Sequence, residues 1–290
     1  MQSFWQQLLS GLANGGVYAC IALALVMIYK ATHLVNFAQG EMAMFSTYVA
    51  WAMIDSGLPY WAAFGLTLVV SFVGGIVIER LVIRPVEQGP VLSIVIVFVG
   101  LLLVFNSLAG LIFGYTIKSF PSPFSSGAWY GSKYMSSHQV GMIVVTLTIL
   151  VVVFVFFRFT RLGLAMRAAA QNPISSRLAG IRVGRMLALG WGLAGAIGAA
   201  AGMMAAPIVY LDPNMMSGIL LYGFAGALLG GIDNPWGAAL GGVFVGILEN
   251  LAGAYVVGTE LKLTLALAII VSVLVFKPAG LFGQAPVVRV

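Results

Sequence analysis

Glu41 and Glu249 each lie within an apolar stretch of this chain. An ionisable group at membrane depth is costly to desolvate, so such residues mark pathways or internal pairs. Glu41 opens a short apolar run beside Asn36, Gln39 and Gly40, either in a cavity or at a solvated helix end. Glu249, followed by Asn250, sits deeper, where it faces a pathway or pairs with an arginine inside the bundle. A second short run begins at Asn214, Ser217 and Gly218, and the first N–H groups of a helix there would suit a carboxylate. Asn36, Gln39, Gly40, Glu41, Asn214, Ser217, Gly218 and Glu249 are therefore the candidates for a translocation path.

Other chemistries find no support. There is no G-x-x-x-x-G-K-[ST] for a nucleotide, no H-E-x-x-H for zinc and no G-x-S-x-G nucleophile elbow. Cys20 is the one cysteine, and His33 and His138 lack ligand-spaced companions. The sequence thus predicts neither an enzyme nor a metal site. The net charge of +6 comes from residues between apolar runs rather than from a basic face interleaved with aromatics, which argues against nucleic acid.

Six arginines and no acid fall in residues 158–185, an island between apolar runs. Its apolar residues alternate with the arginines in a way that suits two short amphipathic helices against a membrane or partner. Gln171-Asn172-Pro173 breaks the first helix, because proline lacks the N–H and restricts its predecessor. Ser175 or Ser176 is expected to cap the second.

The elements that must position these groups are membrane helices. Sixty-one per cent of the 290 residues are hydrophobic and 8% charged, with mean hydropathy +1.06, against roughly a quarter charged in soluble domains. Apolar runs of spanning length cover residues 8–29, 60–83, 91–113, 140–157, 186–206, 236–257 and 262–276, and shorter ones 37–51 and 218–232. The expected fold is all-α, a polytopic helical bundle of eight or nine membrane segments in one domain over residues 1–290. Counting nine crossings, Lys30, Arg80, Arg84, the six island arginines, Lys277 and Arg289 share one face, and Lys118, Lys133 and Lys262 the other. The positive-inside rule makes the first face cytoplasmic and the C-terminus internal. Residues 1–7 carry no basic leader, so the first span is expected to remain in the membrane. Residues 115–138, with seven serines, Pro121 and Pro123, read as an external loop. Each short run follows a long one, and the two pairs run in opposite directions, a pattern of inverted repeats. GxxxG pairs such as Gly11/Gly15 and Gly242/Gly246 allow close packing.

Four segments carry a family resemblance: residues 11–51 with Asn36-Phe37-Ala38-Gln39-Gly40-Glu41, RAAAQNPISSRLAGI from Arg167, GALLGGIDNPWGAALGGVFVGILEN from Gly226 and KPAGLFG from Lys277. The chain resembles the membrane permeases of bacterial branched-chain amino acid ABC importers. The resemblance implies an inner-membrane permease forming half a pore with a second, related chain. It implies two cytoplasmic ATPase subunits that bring ATP and Mg, and a periplasmic or lipid-anchored substrate-binding protein. Residues 158–185 then become the cytoplasmic coupling loop, with Arg167, Ala168, Ala169, Gln171, Asn172, Pro173, Arg177, Leu178, Gly180 and Ile181 as its core. Permeases for urea and short-chain amides are similar, and an ion-coupled carrier or channel acting alone is the reading from a different class.

Overall fold

The computed structural model describes residues 2–283 apart from 88, 126 and 130–133, so Lys133 and Arg289 of the charge count lie outside the described residues. The elements are helical: α1 (Gln2–Thr32), α2 (Gln39–Asp55), α3 (Tyr60–Ile78) continued by a π-helical turn (Glu79–Ile83), α4 (Val91–Phe113), α5 (Ser137–Phe159), α6 (Arg161–Gln171), α7 (Pro173–Leu178), α8 (Val183–Val209), α9 (Met215–Gly230), α10 (Pro235–Tyr255) and α11 (Lys262–Phe276). Among the described residues seven helices are long and apolar enough to cross a membrane. The other two apolar segments, α2 with 17 residues and α9 with 16, rise only about 25 Å at 1.5 Å per residue, short of a hydrocarbon core of ~30 Å.

The bundle is organised as an inverted repeat. The packing of α1 on α10 is matched by α8 on α3, that of α1 on α9 by α8 on α2, that of α9 on α10 by α2 on α3, and that of α9 on α11 by α2 on α4. Both principal crossings use glycine, whose missing Cβ lets backbones touch. A Cβ on Gly15 would lie 2.7 Å from the Val243 carbonyl, and one on Gly195 2.6 Å from that of Ser71. The repeats also reverse direction in the same way. His33 directly follows α1 and Tyr210 directly follows α8, and among the described residues they are the non-glycine ones with positive φ, 56° and 63°. A side chain there is uncommon, and in each case the chain turns back into the bundle to start a short helix. The N-x-x-x-G match between Asn36 and Asn214 is not in register with this repeat, since Asn36 stands three residues ahead of α2 and Asn214 directly before α9.

α1, α8 and α10 form the interior, whereas α3, α4, α5 and α11 turn apolar side chains such as Val69, Leu103, Val152 and Val271 outward. Helix starts follow local chemistry. Ser136 and Gln139 form a capping box at α5, and Asn234 caps α10 with Pro235 in its first turn. The segment after α4 folds over the α2–α3 corner, where Lys118 exchanges two backbone bonds of 2.9 Å with Leu211 and holds its ammonium 4.4 Å from the Trp51 ring centroid. At the opposite end the segment after α11 closes the α9–α10 corner, with Leu281 and Phe282 N–H donating to the Leu229 and Gly230 carbonyls. Two of the family-like segments, far apart in sequence, thus build one joint.

Candidate functional site

The two short helices bring part of the candidate set together. Glu41, in the first turn of α2, is 6% exposed. Asn106 of α4 donates through Nδ2 to its Oε2 at 3.4 Å, to the Pro213 carbonyl at 3.0 Å and to Asn214 Oδ1 at 3.2 Å. One amide therefore links the start of α2 to the break before α9, where Asp212 Oδ1 accepts from the Asn214 N–H at 2.6 Å. Asn214 and Ser217 are exposed and Gly218 half-buried beside them, so this joint has an open rim. Asn106 and Asp212 escaped the sequence reading as path candidates. Asn106 is an amide inside an apolar span, a signal that polarity at membrane depth could have given.

The remaining candidates point elsewhere. Gln39 is fully buried and donates to the Ala194 carbonyl of α8 at 3.0 Å, while its Oε1 has no partner. Asn36, also buried, accepts from the Ala38 N–H at 3.0 Å and shapes the turn into α2. Gly40 faces α9, where a Cβ would come within 3.2 Å of Leu220. Glu249 is apart from this group: Tyr18 donates to its Oε2 at 3.0 Å and Lys262 pairs with its Oε1 at 3.0 Å. Its partner is a lysine rather than the arginine expected. Lys262 also donates to Asn250 Oδ1, and Asn250 Nδ2 to the Gln7 carbonyl, closing a network across α1, α10 and α11.

The arginine island forms α6 and α7 with the break at Asn172. The cap of α7 is Asn172, whose Oδ1 accepts from the Ser175 N–H at 2.9 Å, not Ser175 or Ser176. Asparagine wins because Pro173 in the first helical position leaves its predecessor extended, the conformation a cap adopts. Ala169 and Ser176 are buried, whereas Arg167, Gln171, Arg177, Leu178 and Gly180 are exposed and Ala168 and Ile181 half-buried. Ile174 and Leu178, at i and i+4, are 73% and 86% exposed. Arg84 ties the exit of this segment to α3, donating to Glu79 and, at 2.7 Å, to the Gly184 carbonyl. Lys30 lies within electrostatic range of Arg167 and Asp233. Among the described residues, every lysine and arginine except Lys118 and Lys262 belongs to this end of the bundle.

Residues 7–274 match the family model described as "Branched-chain amino acid transport system / permease component". The chain belongs to this family. It is 32% identical to the high-affinity branched-chain amino acid transport system permease protein LivH of Escherichia coli K12, over 99% of this chain and 98% of that one. It is 31% identical to BraD of Pseudomonas aeruginosa, with the same coverage. A solved structure, PsaBC from Streptococcus pneumoniae in complex with Fab, shares the fold with a TM-score of 0.52 at 12% identity, covering 93% of this chain and 91% of that one. The chain is thus a multi-pass transport permease, and no group of His, Cys, Asp and Glu among its described residues could hold a metal.

Proposed function

We propose that this permease forms half of the translocation path of an ATP-driven importer of leucine, isoleucine and valine, coupled through α6 and α7 to separate ATPase subunits. The observation that carries the coupling is α7. It is a capped six-residue helix that leaves Ile174 and Leu178 uncovered on one face at the arginine-rich end. An apolar pair displayed in water among arginines fits a partner groove better than it fits solvent. The positive-inside rule assigns that end, with the C-terminus, to the cytoplasm, where ATP and Mg would be bound by partners. A second, related permease supplies the other half of the path. A periplasmic or lipid-anchored binding protein delivers cargo at the opposite end, against the segment at 115–138.

Within the chain, the path runs by the starts of α2 and α9, because helix starts inside a bilayer leave backbone groups that only a cavity tolerates. Co-purification with the ATPase subunits and vanadate-sensitive leucine uptake in proteoliposomes test the reading. Cysteines at 174 and 178 are expected to crosslink to an ATPase subunit. Uptake by this chain alone, driven by an ion gradient, would overturn it.

A further inference from the structure

Among the described residues three acidic side chains are buried: Glu41, Glu79 and Glu249. Two hold a cation, Glu79 with Arg84 at 2.9 Å and Glu249 with Lys262 at 3.0 Å. Glu41 has no such partner. Its one donor contact among the described residues, Asn106 Nδ2 at 3.4 Å, is shared with the Pro213 carbonyl and Asn214 Oδ1, both closer. An amide nitrogen carries two protons, so three acceptors leave one short, and the longest contact marks Glu41 as that one. Reversing the amide would set a fourth acceptor among the three, so the arrangement itself fixes the donor.

The surroundings deepen the shortage. Asp212 acts electrostatically on both Glu41 and Tyr48, a second negative charge in the same neighbourhood. Tyr48 lies seven residues beyond Glu41, two turns along one face of α2. Its hydroxyl is fully buried with no hydrogen-bond partner. A buried carboxylate without a counter-charge costs several kcal/mol, and the chain has met that cost with a lysine or arginine at both other buried acids.

We propose that Glu41, with Asn214 Oδ1 and the Pro213 carbonyl, forms a transient subsite for the primary ammonium group of a zwitterionic substrate. An ammonium brings three protons and no acceptor, which complements a site rich in acceptors and poor in donors. Asn106 is its positioning residue, holding the α2 and α9 halves at the spacing one ammonium can bridge. The exposed Asn214 and Ser217 form the rim. The absence of a resident cation suits passage, because a permanent lysine would close the site. This inference rests on the reading of the chain as an amino acid permease.

The test uses the assembled complex carrying Ser217→Cys, and follows the labelling rate by a water-soluble maleimide. We expect 3-methylbutylammonium to slow labelling about fivefold, and neutral 4-methylpentanamide to leave it unchanged. Glu41→Gln should abolish the protection, and Asn214→Ala, at an exposed position, should weaken it if the first variant assembles poorly. Equal protection by the amide, or protection that survives Glu41→Gln, overturns the subsite, and protection by sodium chloride alone assigns it to an inorganic cation instead. ATP-driven leucine uptake by the same preparation separates the two levels. Uptake with protection indifferent to Glu41 sinks the subsite alone, whereas no uptake with Glu41 intact sinks the permease reading.

Discussion

Glu249 and Glu41 are both about one-twentieth exposed in an apolar bundle, yet their surroundings differ in kind. Glu249 is saturated: a tyrosine hydroxyl and a lysine ammonium occupy its two oxygens, and Asn250 extends the network to the start of α1. Glu41 receives a share of one amide and sits where two short helices of opposite repeats meet. A saturated acid ties helices together, whereas an unsaturated one is available to something that arrives. Equal burial therefore does not imply equal role, and the hydrogen-bond inventory separates them.

The largest effect should come from unpairing the saturated site. Lys262→Met leaves Glu249 with Tyr18 alone and is expected to cost roughly 3 kcal/mol, the scale for breaking a buried pair, read as a lowered Tm of the detergent-solubilised complex. Adding Glu249→Gln should recover most of that loss. Glu41→Gln, by contrast, should leave Tm nearly unchanged and slow maximal leucine uptake about tenfold, which is about 1.4 kcal/mol of barrier. If Glu41→Gln proves as destabilising as Lys262→Met, the contrast collapses.

The two repeats offer a second comparison. Gly15→Ala and Gly195→Ala each force a methyl against a carbonyl of the crossing helix, and each is expected to cost about 1–3 kcal/mol. Similar losses in thermal unfolding would support the repeat, and a loss confined to one crossing would break it.

The outward face of the α6–α7 segment contrasts with its inward one. Leu178→Asp should cut ATP-driven uptake about tenfold with unchanged thermal stability. Ala169→Glu, which places a charge at a buried position, should lower stability as well.

Much of this was legible in the sequence because it is written in local patterns. Apolar length gave the spans, with 91–113 and 262–276 coinciding with α4 and α11. Proline chemistry gave the Asn172 break, and a long run followed by a short one hinted at the repeat. What could not be read depends on neighbours distant in the chain. Glu249 and Lys262 look like a mid-span residue and the first residue of the next span until α10 and α11 are packed. Asn106 resembles a stray amide until α4 lies beside the α8–α9 break, and the inward turn of Ala169 depends on how α6 rests against α8. The positive φ at His33 and Tyr210 has no local sequence cue, since neither is the glycine that such a turn would favour.

The most direct test of the contrast is solvent access in the assembled complex. Cys20 is buried and forms no background, so single cysteines can be placed at 41, 214 and 217 on one side of the comparison. Val245, fully buried one turn before Glu249 on α10, serves on the other. A water-soluble thiol reagent applied through the ATP cycle is expected to reach 41, 214 and 217 in at least one state and 245 in none. Labelling at 245, or failure to reach all three of the others in every state, would contradict the account.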